Sequence, residues 1–230
     1  MLTIENLEVH YGGITALRRV SIEVKQGETV LLVGANGAGK SSLINAVIGL
    51  VRTAGGRILF KGNDLGPLSC DRRARSGIGY APEGRHVFPS MSVKDNVLSG
   101  AFGLGRVRQR QAYDWLCQMF PLLAERTDQL AGQLSGGQQQ MVAIARAMSS
   151  SPVLLLLDEP FLGLAPVWIG QLSDAIRQMQ RHGTTILMTE QMAVPALKIA
   201  TRGYVMRGGE VRRSGTVAEI RDVALEEEYL

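Results

Sequence analysis

The sequence predicts an α/β fold built on a mostly parallel sheet. Short, wholly apolar runs such as VLLV and VLLLL suit strands buried on both faces, and segments of helical period separate them. The start is different: it alternates apolar and polar residues, which points to an antiparallel β subdomain beside the parallel core.

In chain order, LTIENLEVHY alternates as a strand, and VSIEVKQGETVLLVG alternates before becoming fully apolar at Val30 to Val33. KSSLINAVIGL has apolar residues at helical spacing and a terminal Gly-Leu. GGRILFKG is a short strand between turns, and GIGYAPEG another, ended by Pro82. From Ser92 to Arg126 the strand signal fades, and VKDNVLSGAF and RQRQAYDWLCQMFPLLAER read as helices. Together with the helical SGGQQQMVAIARAMSS, they form a helical subdomain over roughly residues 92–150, inserted in one domain spanning 1–230. PVLLLLDEP is then a buried strand, VWIGQLSDAIRQMQRHG a helix, TTILMTEQ a strand and MAVPALKIA a short helix. RGYVMRGGEVRRSG reads as a hairpin turning at Gly208-Gly209. Such alternation builds βα units around a parallel sheet.

The composition, 45% apolar and 20% charged, is that of an ordinary globular protein. No apolar run approaches the ~20 residues that cross a bilayer. MLTIENLEVHYGG lacks the basic-then-apolar order of a secretory signal, so a cytosolic chain is expected. Net charge is +4, but the basic residues are scattered. RVRQR (Arg106 to Arg110) and DRRAR (Asp71 to Arg75) read as solvated helix faces, so no nucleic-acid partner is expected. Cys70 and Cys117 have neither metal-ligand spacing nor a local catalytic partner and read as free thiols.

Three stretches carry chemistry. GANGAGKSS comprises Gly34, Ala35, Asn36, Gly37, Ala38, Gly39, Lys40, Ser41 and Ser42, and fits G-x-x-x-x-G-K-[ST] between an apolar strand and a helix. Its glycines let backbone N–H groups turn onto phosphate oxygens, and the next helix presents its positive end to the same anion. Lys40 supplies a point charge for the β/γ-phosphates and Ser41 a hydroxyl for Mg²⁺. Second, VLLLLDEP ends a buried strand in two acids, where α/β sheets bind ligands. Asp158 suits the metal, and Glu159 suits the attacking water as catalytic base. Third, LSGGQQQMVAIARA offers another helix start for an anion, with Ser135 as N-cap followed by Gly136, Gly137 and Gln138. It either serves a nucleotide held by another copy or is a capped helix of no further importance. The residues alone leave both readings open.

In this order and spacing, GANGAGKSS, LSGGQQQ and LLLLDEP closely resemble the ATP-binding-cassette (ABC) ATPases over essentially the whole chain. The resemblance implies a P-loop ATPase fold binding ATP and Mg²⁺, as a head-to-tail homodimer or a heterodimer with a related ATPase subunit. Ser135, Gly136, Gly137 and Gln138 would then contact the ATP of the other subunit. It implies that Tyr11, in HYGGITAL, stacks on adenine, where sequence alone sees a strand-end aromatic. A finer resemblance, carried by GIGYAPEGRHVFPSMSVKDNV, LDEPFLGLAP, MTEQ and the closing GTVAEIRDVALEEEYL, is to the ATPases of branched-chain (hydrophobic) amino acid uptake. Urea-uptake ATPases share much of that pattern. Resemblance to this branch implies an ATPase peripheral to the inner face of the cell membrane, bound to transmembrane permease subunits and indirectly to a solute-binding protein. A non-transport ABC ATPase acting on nucleic acid or ribosomes is the rival, but it usually needs two cassettes or a long coiled-coil insertion. A regulatory subunit without hydrolysis fits poorly with Lys40, Asp158 and Glu159 all present.

Several positions depart from the general ABC pattern. Glu83 stands at the metal site where a glutamine is usual, Ala165 where an aspartate is usual, and Gln191 at the switch histidine. Phe161 follows DEP where small polar residues are commoner. A neutral amide cannot take up a proton near neutral pH, so Gln191 is expected to position phosphate and water while Glu159 handles the proton. Glu190 is read as structural.

Overall fold

The computed structural model describes residues 1–228, so Tyr229 and Leu230, at the end of the closing resemblance, lie outside the described residues. Two sheets, with elements numbered in chain order, build the chain. The smaller is antiparallel and contains β1 (Leu2–Tyr11), β2 (Ile14–Val24), β4 (Gly55–Phe60) and β5 (Asn63–Asp64), in the order β2-β1-β4-β5. The larger contains β3 (Thr29–Val33), β6 (Ile78–Ala81), β7 (Leu154–Asp158), β8 (Thr185–Glu190), β9 (Arg202–Arg207) and β10 (Glu210–Thr216). Its order is β10-β9-β3-β8-β7-β6, with every pair parallel except the edge pair β10–β9.

Every residue of β3, β7 and β8 is buried, as expected for strands covered on both faces. Their period of two divides the core. Leu31, Val33, Leu155 and Leu157 pack into one apolar cluster with α6 (Gly136–Met148) and α7 (Pro166–Arg181). Val30, Leu32, Leu154 and Leu156 pack into another with β1, β2 and α1 (Lys40–Ile48). Between β6 and β7 the chain is helical: α3 (Val93–Ser99), α4 (Arg106–Met119), α5 (Pro121–Glu125), a 3-10 turn at Ala131–Gln133, and α6. The short α2 (Cys70–Arg75) precedes β6, while α8 (Ala193–Leu197) and α9 (Val217–Glu228) follow β8 and β10.

Four details differ from the sequence reading. The run VSIEVKQGETVLLVG belongs to both sheets, broken where Glu28 Oε2 accepts the Lys25 N–H at 2.8 Å. The segment RQRQAYDWLCQMFPLLAER is two helices, because Pro121 excludes Phe120 from helical geometry (φ −126°, ψ 83°). The closing residues form α9, whose Ile220 and Ala224 are buried. Finally, DRRAR is not wholly a solvated face. Arg73 is buried and donates from Nη1 to the carbonyls of Ala46 (2.7 Å) and Val47 (2.9 Å), and from Nε to that of Leu68 (2.9 Å). It thereby occupies the C-terminal end of α1, where a cation is favoured by the helix dipole. Cys70 and Cys117 are free thiols, each partly buried.

Candidate active site

The C-terminal ends of β3, β6, β7 and β8 lie side by side, and Lys40, Ser41, Glu83, Asp158, Glu159 and Gln191 collect there, whereas Tyr11 and Ser135 to Gln138 lie on other elements. The loop after β3 enters α1 through Gly39, whose φ of 101° is left-handed. A Cβ at Gly39 would stand 2.7 Å from the Ala16 carbonyl oxygen and 2.8 Å from Leu17 Cδ2, so conformation and space both demand glycine. No described side chain caps α1, which leaves first-turn N–H groups to face an anion. The β9–β10 turn closes over the loop, with the Gly209 N–H donating to the Ala38 carbonyl at 3.1 Å.

Lys40 and Ser41 join this loop to the end of β7. Lys40 is 4% exposed, donates to the carbonyls of Gly34 (2.7 Å) and Ala35 (3.2 Å), and pairs with Glu159 Oε1 at 3.1 Å. Ser41 Oγ donates to Asp158 Oδ1 at 3.1 Å. Burial pushes the Asp158 carboxyl up, opposed by hydrogen bonds from Thr189 and Ser41. Glu83, exposed two residues beyond β6, is also pushed up, by partial burial and then by the charges of Glu159 and Asp158. Asp158 and Glu159 therefore share this corner with one lysine, and Glu83 lies near enough to feel their charge, although no three such side chains among the described residues are grouped as a metal site. A hydroxyl and a carboxylate oxygen at 3.1 Å, in a corner of excess negative charge, fit a hard divalent cation such as Mg²⁺.

Thr189 carries no motif signal in the sequence, yet it organises the corner. Its hydroxyl donates to Asp158 Oδ1 at 2.5 Å and accepts the Glu159 N–H at 3.1 Å. The available signal was a polar residue inside an apolar strand, placed opposite Asp158 by the β7–β8 register. Gln191 follows directly on β8 and is partly buried. Phe161 is fully buried in the cluster with α6 and α7, which explains an apolar residue after DEP.

Tyr11 ends β1 and is 44% exposed, free to offer its ring. Ser135 caps α6, and Gly136, Gly137 and Gln138 form its first turn. Ser135 Oγ accepts the Gln138 N–H at 3.5 Å, and Gln138 Oε1 accepts the Ser135 N–H at 2.9 Å, a reciprocal cap. The Trp168 ring packs on Gly137 and the Arg85 guanidinium on Gly136, so closely that a Cβ at either position would overlap them. Neither Trp168 nor Arg85 carried a local signal. Ala165 is the N-cap of α7, ahead of Pro166.

A protein-family model described as ABC transporter matches residues 17–162, well over half of the chain. The chain belongs to the ABC transporter ATPase family. This ABC subunit is 44% identical over 96% of its length to the high-affinity branched-chain amino acid transport ATP-binding protein BraG of Pseudomonas aeruginosa, of which 94% is covered. It is 34% identical to the lipopolysaccharide export system ATP-binding protein LptB of Escherichia coli K12, over 95% of this chain and 92% of that one. Among solved structures, an ATP-binding cassette of an ABC transporter in its ADP conformation superposes with a TM-score of 0.89 at 28% identity, over 100% of this chain and 98% of the other. A dimeric cassette in a post-hydrolysis state bound to ADP and Pi gives 0.85 at 25% identity, over 94% and 99%. The ABC subunit is thus an ATP-binding transporter ATPase. None of its described helices is long and apolar enough to cross a membrane.

Proposed function

We propose that this chain is the ATP-hydrolysing subunit of an importer for branched-chain or other hydrophobic amino acids. The observation that carries the hydrolytic half is the buried Lys40–Glu159 contact beside the Ser41–Asp158 bond. The higher identity to BraG (44%) than to LptB (34%) supports amino acid cargo.

In this reading residues 34–42 hold the phosphates of ATP and Tyr11 stacks on adenine. Lys40 exchanges the Gly34 and Ala35 carbonyls for β/γ-phosphate oxygens. Ser41 and Asp158 would hold Mg²⁺, with Glu83 beside them, and the ion would supply positive charge to the phosphates. A carboxylate oxygen of Glu159 takes the proton of the attacking water, which Gln191 helps orient. Ser135 to Gln138 of a second subunit, either another copy or a related ATPase, complete the site head to tail; that a solved cassette bound to ADP and Pi is dimeric supports a second subunit. Residues 1–230 act as one domain, whose helical part near 92–150 meets the transmembrane permease on the cytoplasmic face of the membrane. The permease in turn meets a solute-binding protein.

Glu159→Gln tests the chemistry. ATP binding is retained, turnover falls by about 10²–10⁴-fold, and an ATP-bound dimer accumulates on gel filtration. Wild-type turnover in this variant overturns the base assignment. For the cargo, the co-purified permease complex in proteoliposomes should take up labelled leucine on ATP addition. Uptake of urea, or release of lipopolysaccharide, would replace the proposed substrate.

A further inference from the structure

Glu190 ends β8 and is 1% exposed. Its Oε1 accepts the Phe161 N–H at 2.8 Å, and its backbone carbonyl accepts the Gly34 N–H at 3.3 Å. One residue therefore ties β8 both to the turn after Glu159 and to the start of the phosphate loop. That turn needs holding. Glu159 has φ 46°, in the left-handed region that non-glycine residues keep only when their surroundings impose it. Upstream, the Glu159 N–H is held by the Thr189 carbonyl (3.2 Å) and hydroxyl (3.1 Å). Two residues on, Glu190 holds Phe161, whose ring is fully buried. The strained residue is thus clamped on both sides. Burial pushes the Glu190 carboxyl up to about 8, with the Phe161 N–H and the Lys40 charge opposing and the Glu159 and Asp158 charges adding. At neutral pH it is mainly an uncharged acceptor that adds little charge beside Glu159.

We propose that Glu190 is a positioning residue for ATP hydrolysis: by holding the Phe161 N–H it fixes the turn that aims the Glu159 carboxylate at the attacking water. This rests on Glu159 being the base, as proposed above. Glu190→Met fills the space but cannot accept the bond, whereas Glu190→Gln keeps a carbonyl oxygen. In the purified full chain with MgATP, Glu190→Met should lower kcat by about 10–100-fold, the cost of a misplaced group. Affinity for a fluorescent ATP analogue should not change. Glu190→Gln should follow wild type, and Glu190→Met should cost nothing further in a Glu159→Gln background. Should the Met variant not fold, as thermal unfolding would reveal, Glu190→Ala carries the same comparison.

Wild-type kcat in Glu190→Met beside an inactive Glu159→Gln overturns the Glu190 role alone. Wild-type turnover in Glu159→Gln overturns the base reading, and the route through it. Equal losses in the Met and Gln variants, or a loss of ATP affinity with kcat, assign Glu190 to general folding and overturn the proposal.

Discussion

Arg73→Ala should destabilise the protein although Arg73 belongs to none of the motifs that carry chemistry. The guanidinium makes three hydrogen bonds to carbonyls, at 2.7–2.9 Å, two of them in the last turn of α1. Hydrogen bonds from a charged group contribute ~1.5–3 kcal/mol each. They are not additive here, because one side chain makes all three and the Gly49 N–H also serves Ala46 at 3.3 Å. Burial pulls the guanidinium below its ordinary value, a sign of the desolvation that offsets part of the gain. The net loss is about 2–4 kcal/mol. With ~2.1 cal/mol/K of unfolding entropy per residue, a chain of this length carries about 0.5 kcal/mol/K, so the loss lowers Tm by about 4–8 °C. Circular dichroism melting of the nucleotide-free chain measures it. Arg75→Ala is the control: its partner Asp71 is 3.7 Å away and both are exposed, so Tm should barely move. A melting point for Arg73→Ala indistinguishable from that of Arg75→Ala would refute the reasoning.

Three further outcomes are expected. Phe161→Ala empties a fully buried ring site and should cost ~3–5 kcal/mol in urea unfolding; a cost below one would show that the site collapses. Glu190 keeps its proton up to about pH 8 when folded but loses it near 4.5 when unfolded. The native state then binds more protons between these values, and stability falls as pH rises through 4.5–8. Glu190→Gln should flatten that slope, by up to ~1.4 kcal/mol per pH unit, and an unchanged slope would contradict it. Gln191→Ala should lower kcat without weakening ATP binding, and Gln191→His should add a pH dependence near 6.5 to turnover. A fully active Gln191→Ala variant would return that position to a structural role.

Periodicity and motif order made much of this molecule legible. The strands Val30 to Val33, Leu154 to Leu157 and Ile186 to Met188 announce themselves because burial on both faces permits only apolar residues. Lys40, Ser41, Asp158 and Glu159 stood out as candidates because phosphate and metal chemistry would restrict the residue types at a strand end and at the helix start after a glycine-rich loop. Other features were invisible for a physical reason: they depend on partners distant in the chain. Arg73 reads as one basic residue among several until the end of α1 lies beneath it. Thr189 and Glu190 acquire meaning only from the register of β8 against β7 and β3. Likewise, Trp168 and Arg85 gave no local hint that they cover Gly137 and Gly136.

The strand order has a consequence for biosynthesis. β3 is made early, yet both its neighbours, β8 and β9, lie more than 150 residues later. At ~5–20 residues per second, the ribosome takes roughly 10–30 s to deliver the first of them. For that interval TVLLV is an unpaired apolar strand with both edges open, the kind of segment that pairs with foreign chains. Nascent chains stalled shortly before Thr185 should therefore be the most dependent on chaperone shielding, and release of that dependence should coincide with emergence of β8.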